Sequence, residues 1–224
     1  VGQLPNPAHI GAVAISAMFF SFLFWGFGFL RMGTTSLTSQ ALGADNKDEI
    51  RANLARALLI GLGLGGVLIA FSKLISFIGF GLIEASPFVE SLAKTYFEIR
   101  IWSAPATFIN YALVGWFIGI GQARKALFIQ ITLNLINAGL DWYFVVKVGL
   151  GVEGVAIGTL LAEIIAAAIG LFIARSTFKT FWSSRSISTI WDISRLKQLF
   201  SVSKDIVIRS LALMLVFVWF TSQG

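Results

Sequence analysis

Two carboxylates, Asp141 and Glu163, lie inside long apolar stretches, and each has a polar residue four positions before it, Asn137 and Thr159. A four-residue spacing puts each pair on one face of a helix. Lys147 and Glu153 bracket the connection between the two stretches, so depth can be counted from them. Asp141 lies six residues back from Lys147, and Thr159 six residues beyond Glu153. Each is roughly 9 Å along its helix from that boundary. Asn137 and Glu163 then share a second layer, about 15 Å down. A carboxylate surrounded by an amide and a hydroxyl at membrane depth suits a proton or a small cation. A structural network of interhelical hydrogen bonds would use the same residues, and spacing alone leaves both readings open.

The elements that must hold these groups are membrane helices. With 57% hydrophobic residues, 12% charged, 14% aromatic and a mean hydropathy of +0.84, the 224 residues cannot cover a water-soluble surface. Cysteine is absent and there is one histidine, which excludes disulfides, thiol catalysis and His/Cys metal constellations. No nucleophile and base arrangement is present, so an enzyme is not expected, nor a metal or cofactor. The formal charge of +6 is dispersed in short segments between apolar runs, which fits an anionic membrane face and excludes a nucleic-acid domain.

Hydropathy predicts six spans: Ile10–Leu30, Ala57–Ile83, Ile101–Ala123 with a helix start as early as Phe88, Ala126–Val146, Val155–Ala174 and Ile206–Phe220. Eleven Lys and Arg fall on one side of this arrangement, among them Lys47, Arg51, Arg56, Arg124, Lys125, Arg175 and Lys197, against Lys94, Arg100 and Lys147 on the other. Positive charge is retained in the cytoplasm, so residues 1–9 are expected outside and the basic stretch 176–204 inside. The chain opens at Val1 in a turn and has no signal-peptide pattern, which implies at least one span upstream.

Asn46 with Glu49 three residues later predicts a capping box. Gly61–Gly66, Gly115 with Gly119, and Gly154 with Gly158 give the small-residue spacing of close helix packing. Arg31, at the expected end of its span, should snorkel to the headgroups. Glu98 and Arg100, two apart, should not pair with each other, whereas Asp205 and Arg209 share a face and should.

Four segments carry a family resemblance. Gly28-Phe-Leu-Arg31-Met-Gly-Thr-Thr-Ser-Leu-Thr-Ser-Gln40-Ala-Leu-Gly43 resembles the second-helix signature of the multidrug and toxic compound extrusion (MATE) family, in particular its DinF (DNA-damage-inducible F) branch. Phe97–Ala106, Asn134–Asp141 and Lys204–Leu211 are similar to the same branch. The similarity covers essentially the whole chain.

The resemblance implies an all-α integral membrane protein of twelve helices in two six-helix lobes, of which this chain supplies helices two to seven. Residues 1–175 would be the N-terminal lobe without its first helix, 176–204 a cytoplasmic inter-lobe loop, and 205–224 the start of the second lobe. It further implies monomeric transport across the cell membrane, exporting small organic, often cationic, compounds or metabolites against an H⁺ or Na⁺ gradient, with membrane lipids as the surroundings. Asn137, Asp141 and Thr159 match the family's coupling-ion residues, with Tyr96 as an aromatic hydroxyl. Glu163, Asn134 and Asn110 are candidates for the substrate cavity. An acidic partner on helix one would lie upstream. The alternative within the wider superfamily is a lipid-linked oligosaccharide flippase, for which Arg31, Lys73 and Arg100 would be the only basic candidates.

Overall fold

The computed structural model describes residues 7–81 and 86–180, and every element among them is helical. They are α1 (Pro7–Trp25), α2 (Phe29–Gly43), α3 (Lys47–Ala70), α4 (Ser72–Gly81), α5 (Pro87–Arg100), α6 (Ala104–Gly119), α7 (Ala123–Trp142) and α8 (Gly151–Thr180). A 3₁₀ turn over Ile101–Ser103 joins α5 to α6, and a π turn over Tyr143–Lys147 follows α7. Among the described residues, Ala8–Gly43, Lys47–Ala70, Pro87–Gly119 and Gly151–Phe178 are long and apolar enough to cross a membrane. The chain is a multi-pass, all-α membrane protein. The predicted last span, its Asp205–Arg209 pair and most of the basic stretch 176–204 lie outside the described residues. Within that stretch, α8 runs unbroken to Thr180.

The first span is longer than hydropathy predicts. Residues 26–28 form only a tightened turn, with Phe27 and Gly28 donating to the carbonyls of Phe24 and Trp25 at 3.0 and 2.9 Å, and α2 then continues to Gly43. Its hydroxyls lower the hydropathy without ending the helix, because they bond the preceding turn: Thr34 to the Leu30 carbonyl at 2.6 Å and Thr35 to that of Arg31 at 3.0 Å. Arg31 therefore sits exposed in the first turn of α2, inside the span Ala8–Gly43 and not at its end.

The second span starts earlier than expected, at Lys47, and breaks at Phe71. Only half of the predicted capping box forms. The Asn46 side chain accepts from the Glu49 amide at 3.0 Å, but the Asn46 amide goes to the Ala41 carbonyl at 2.9 Å. The Glu49 carboxylate instead receives Arg56, with Nη1 to Oε1 at 2.7 Å and Nη2 to Oε2 at 3.2 Å. Arg56, expected in a connection, is buried within α3 at 2% exposure. In the third span, Pro105 lacks an amide hydrogen and crowds the carbonyl four residues before it, which accounts for the 3₁₀ turn between α5 and α6.

Helix α6 is the centre of the bundle, packed against α2, α3, α7 and α8. Two of its interfaces rest on glycines. A Cβ on Gly65 would lie 2.6 Å from the Pro105 Cα, and one on Gly61 would lie 3.1 Å from the Phe108 Cβ. A Cβ on Gly115 would meet the Arg31 carbonyl, and one on Gly119 would lie 2.6 Å from the Thr38 Cβ. Two apolar cores flank this centre. One is aromatic, with Phe20 stacked on Phe97 at 5.3 Å between ring centroids and Phe24 edge-on to Phe108 at 5.6 Å. The other surrounds Trp116, whose indole donates to the Ile50 carbonyl at 2.8 Å.

Candidate cation site

Helices α7 and α8 are antiparallel neighbours joined by the π turn and a short loop, which brings the two polar stripes together. The Asn137 amide donates to Thr159 Oγ1 at 3.1 Å and to Asp141 Oδ1 at 3.3 Å. Thr159 in turn donates to the Val155 carbonyl at 2.9 Å, which points its lone pairs toward Asn137. Gly158 backs the carboxylate: a Cβ there would collide with Asp141 Oδ1 and approach the Asp141 amide nitrogen to 3.1 Å. The spacing of Gly154 and Gly158, singled out as packing glycines, thus places α8 directly against the acidic turn of α7.

Asp141 is half-buried, and among the described residues no basic side chain forms a salt bridge with it. An anion in this position is costly unless something positive or a proton joins it. No group of three or more His, Cys, Asp or Glu occurs among the described residues. A cation held at Asp141 would therefore meet one carboxylate and neutral oxygens, a donor set suited to a proton or a hard monovalent ion.

No hydrogen bond among the described residues joins Asn137 to Glu163, the pair expected to share a second layer. Asn137 is spent on Asp141 and Thr159, while Glu163 turns to α6, where Asn110 donates to its Oε2 at 2.7 Å and to its main-chain carbonyl at 3.1 Å. The reason is geometric: the face of α8 that carries Thr159 and Glu163 meets α7 at one turn and α6 at the next. Asn110 itself is buried at 2% exposure. Asn134 lies exposed on α7. Tyr96 is buried on α5, its hydroxyl accepting from Arg100 Nη1 at 3.0 Å, and no hydrogen bond among the described residues joins it to Asp141. Arg100 lies over the Phe20 ring at 4.7 Å, and Glu98 is exposed and unpaired with it, as the two-residue spacing predicts. Thr107, close to the Glu163 carboxylate, escaped the sequence reading although it lies three residues before Asn110 on the same helix.

The sequence model of the MatE family matches residues 1–143. The DNA damage-inducible protein F of Escherichia coli is 35% identical over 225 residues, covering 100% of this chain and 49% of that protein. A solved MOP superfamily transporter from Pyrococcus furiosus superposes with a TM-score of 0.80 at 23% identity, covering 97% of this chain and 48% of the other. The outward-facing conformation of a multidrug resistance MATE family transporter gives a TM-score of 0.81 at 21% identity, over 97% of this chain and 48% of the other. The chain thus spans about half the length of the relatives it matches. The match to the family's sequence model over most of the chain, on the helical framework that holds Asn137, Asp141 and Thr159, shows that it belongs to the MatE family of transporters.

Proposed function

We infer that the protein exports organic, cationic compounds or metabolites in exchange for protons or sodium, and that Asp141 is its coupling carboxylate. The observation that supports this most strongly is the half-buried Asp141 carboxylate, bonded to neutral Asn137 and lacking a basic partner among the described residues. Such a group favours one lobe packing when it carries a cation and another when it is bare. Transport then follows from the differential affinity of ion and substrate for outward- and inward-facing states. Tyr96 would act through Arg100, and Glu163 with Asn110 would line the substrate side, with Asn134 at the lobe surface. The unit would be a monomer in the cell membrane, with residues 1–9 outside and 176–204 inside, surrounded by lipid and without a nucleic-acid partner. The flippase alternative finds no support in the site, where the ionisable groups bonded to Asn110 and Asn137 are acidic.

The experiment is gradient-driven efflux of an organic dye from everted vesicles containing the protein in its full native length. Asp141→Asn, which keeps the shape and removes the charge, should abolish efflux while membrane insertion persists. Efflux at the parental rate would remove Asp141 from the mechanism.

A further inference from the structure

The interface between α6 and α8 contains buried oxygens that the inferred role of Asp141 does not use. Asn110 bonds two oxygens of Glu163 through its amide nitrogen, yet its Oδ1 is buried without a donor. Ser103 Oγ, at a residue 0% exposed, is likewise buried without a partner, and Thr107, at a residue 3% exposed, brings its hydroxyl to the Glu163 carboxylate. Residues 103, 107 and 110 are spaced four and three apart, so all three lie along one helical stripe. Thr107 lies close to the Glu163 carboxylate, and the 3₁₀ turn that carries Ser103 packs on α8.

Native interiors rarely leave several oxygens without donors in one place. Here the Asn110 Oδ1 can only accept and has no donor, beside a buried carboxylate, while the hydroxyls of Thr107 and Ser103 can each donate or accept. The charged groups facing this cluster are Arg100 of α5 and Arg31 of α2, the latter through Tyr111. Arg100 is committed to the Tyr96 hydroxyl and the Phe20 ring, and neither arginine forms a salt bridge with Glu163 among the described residues.

We propose that Glu163, Thr107 and Asn110 form a second monovalent-cation site, for a proton or a sodium ion, distinct from that of Asn137, Asp141 and Thr159. The inference deepens the coupling role inferred for Asp141 but stands on separate residues, and it makes the place that Glu163 and Asn110 take on the substrate side one for an ion. Glu163 lies four residues beyond Thr159 on α8, roughly 6 Å along the axis, so the two sites touch α8 about one turn apart. Occupation of the Glu163 station neutralises the carboxylate and gives the Asn110 Oδ1 a partner. Its emptying leaves the α6–α8 joint with a bare charge held by the Asn110 amide and the Thr107 hydroxyl. The lobe then counts two ions per cycle instead of one.

The test is ion stoichiometry in the purified full-length protein. Equilibrium dialysis with radioactive sodium should show Glu163→Gln and Asp141→Asn each lowering the number of bound ions by one, and the double variant by two. If sodium does not bind, the infrared absorption of buried protonated carboxyls, recorded on acidification, should lose one band in each single variant and two in the double. Thr107→Val, which leaves the Glu163–Asn110 bond in place, should weaken the Glu163 site about tenfold and leave the Asp141 site unchanged. It also covers the case in which Glu163→Gln fails to fold. An unchanged count or spectrum in Glu163→Gln, or unchanged affinity in Thr107→Val, would overturn the second site. Loss confined to Glu163→Gln, with Asp141→Asn silent, would instead sink the coupling role of Asp141 and leave the second site standing.

Discussion

Glu49 and Asp141 are both carboxylates on apolar helices, and they are treated in opposite ways. Glu49 is met by a bidentate Arg56, whose side chain is 1% exposed and also donates to Asn53 at 2.9 Å, while the Glu49 side chain is 12% exposed. Asp141 is met by an amide, a glycine and no cation from the described chain. Both demand compensation for leaving water, but only Glu49 carries its counter-charge permanently. A carboxylate with a covalently attached cation is a fixed part of the bundle. One without it responds to whatever ion the solution supplies.

Removing the attached cation should have the largest effect on stability. Arg56→Ala removes the bidentate partner of Glu49, and we expect a loss of about 3–5 kcal/mol in unfolding experiments in detergent, with reduced expression. Asp141→Asn should run the other way, changing the unfolding midpoint little while abolishing coupled efflux. If both variants were equally unstable, the contrast between fixed and exchangeable compensation would fail. Gly158→Ala comes next: the added methyl meets Asp141 Oδ1 and its amide, costing about 1–3 kcal/mol by overpacking and lowering cation affinity. Thr159→Val removes the acceptor for Asn137 and should cost about 1 kcal/mol, with ion affinity restored by serine at the same position. The smallest effect belongs to the other region. Asn46→Ala deletes the cap of α3, worth about 1 kcal/mol, and should leave transport untouched.

The all-helical membrane architecture was legible because apolar length alone demands it. Asn137, Asp141 and Thr159 were legible because their elements are consecutive and their spacing fits helical faces. Three features were hidden for different reasons. Helix α2 is masked by threonines that satisfy their own hydroxyls, so its sequence reads as a connection while its backbone continues. Arg56 reads as a loop cation because hydropathy cannot see the glutamate seven residues earlier folding back onto it. The Asn110–Glu163 bond joins residues 53 apart on helices separated by α7, and no local pattern predicts that α8 turns its second polar layer toward α6.

Backbone-deep contacts and fingertip contacts divide the lobe mechanically. Helices α2, α3 and α6 are locked where main chain rests on glycine, at Gly65 with Pro105 and Gly115 with Arg31, and such surfaces have no slack. The π turn and Gly158 fasten α7 to α8 in the same way. Between these two slabs the touching parts are side-chain tips, the Leu113 methyl at 2.8 Å from where a Gly170 Cβ would sit and the Asn110 amide on Glu163. The seam is therefore held through side chains where the slabs are held through main chain, and Glu163 lies on it.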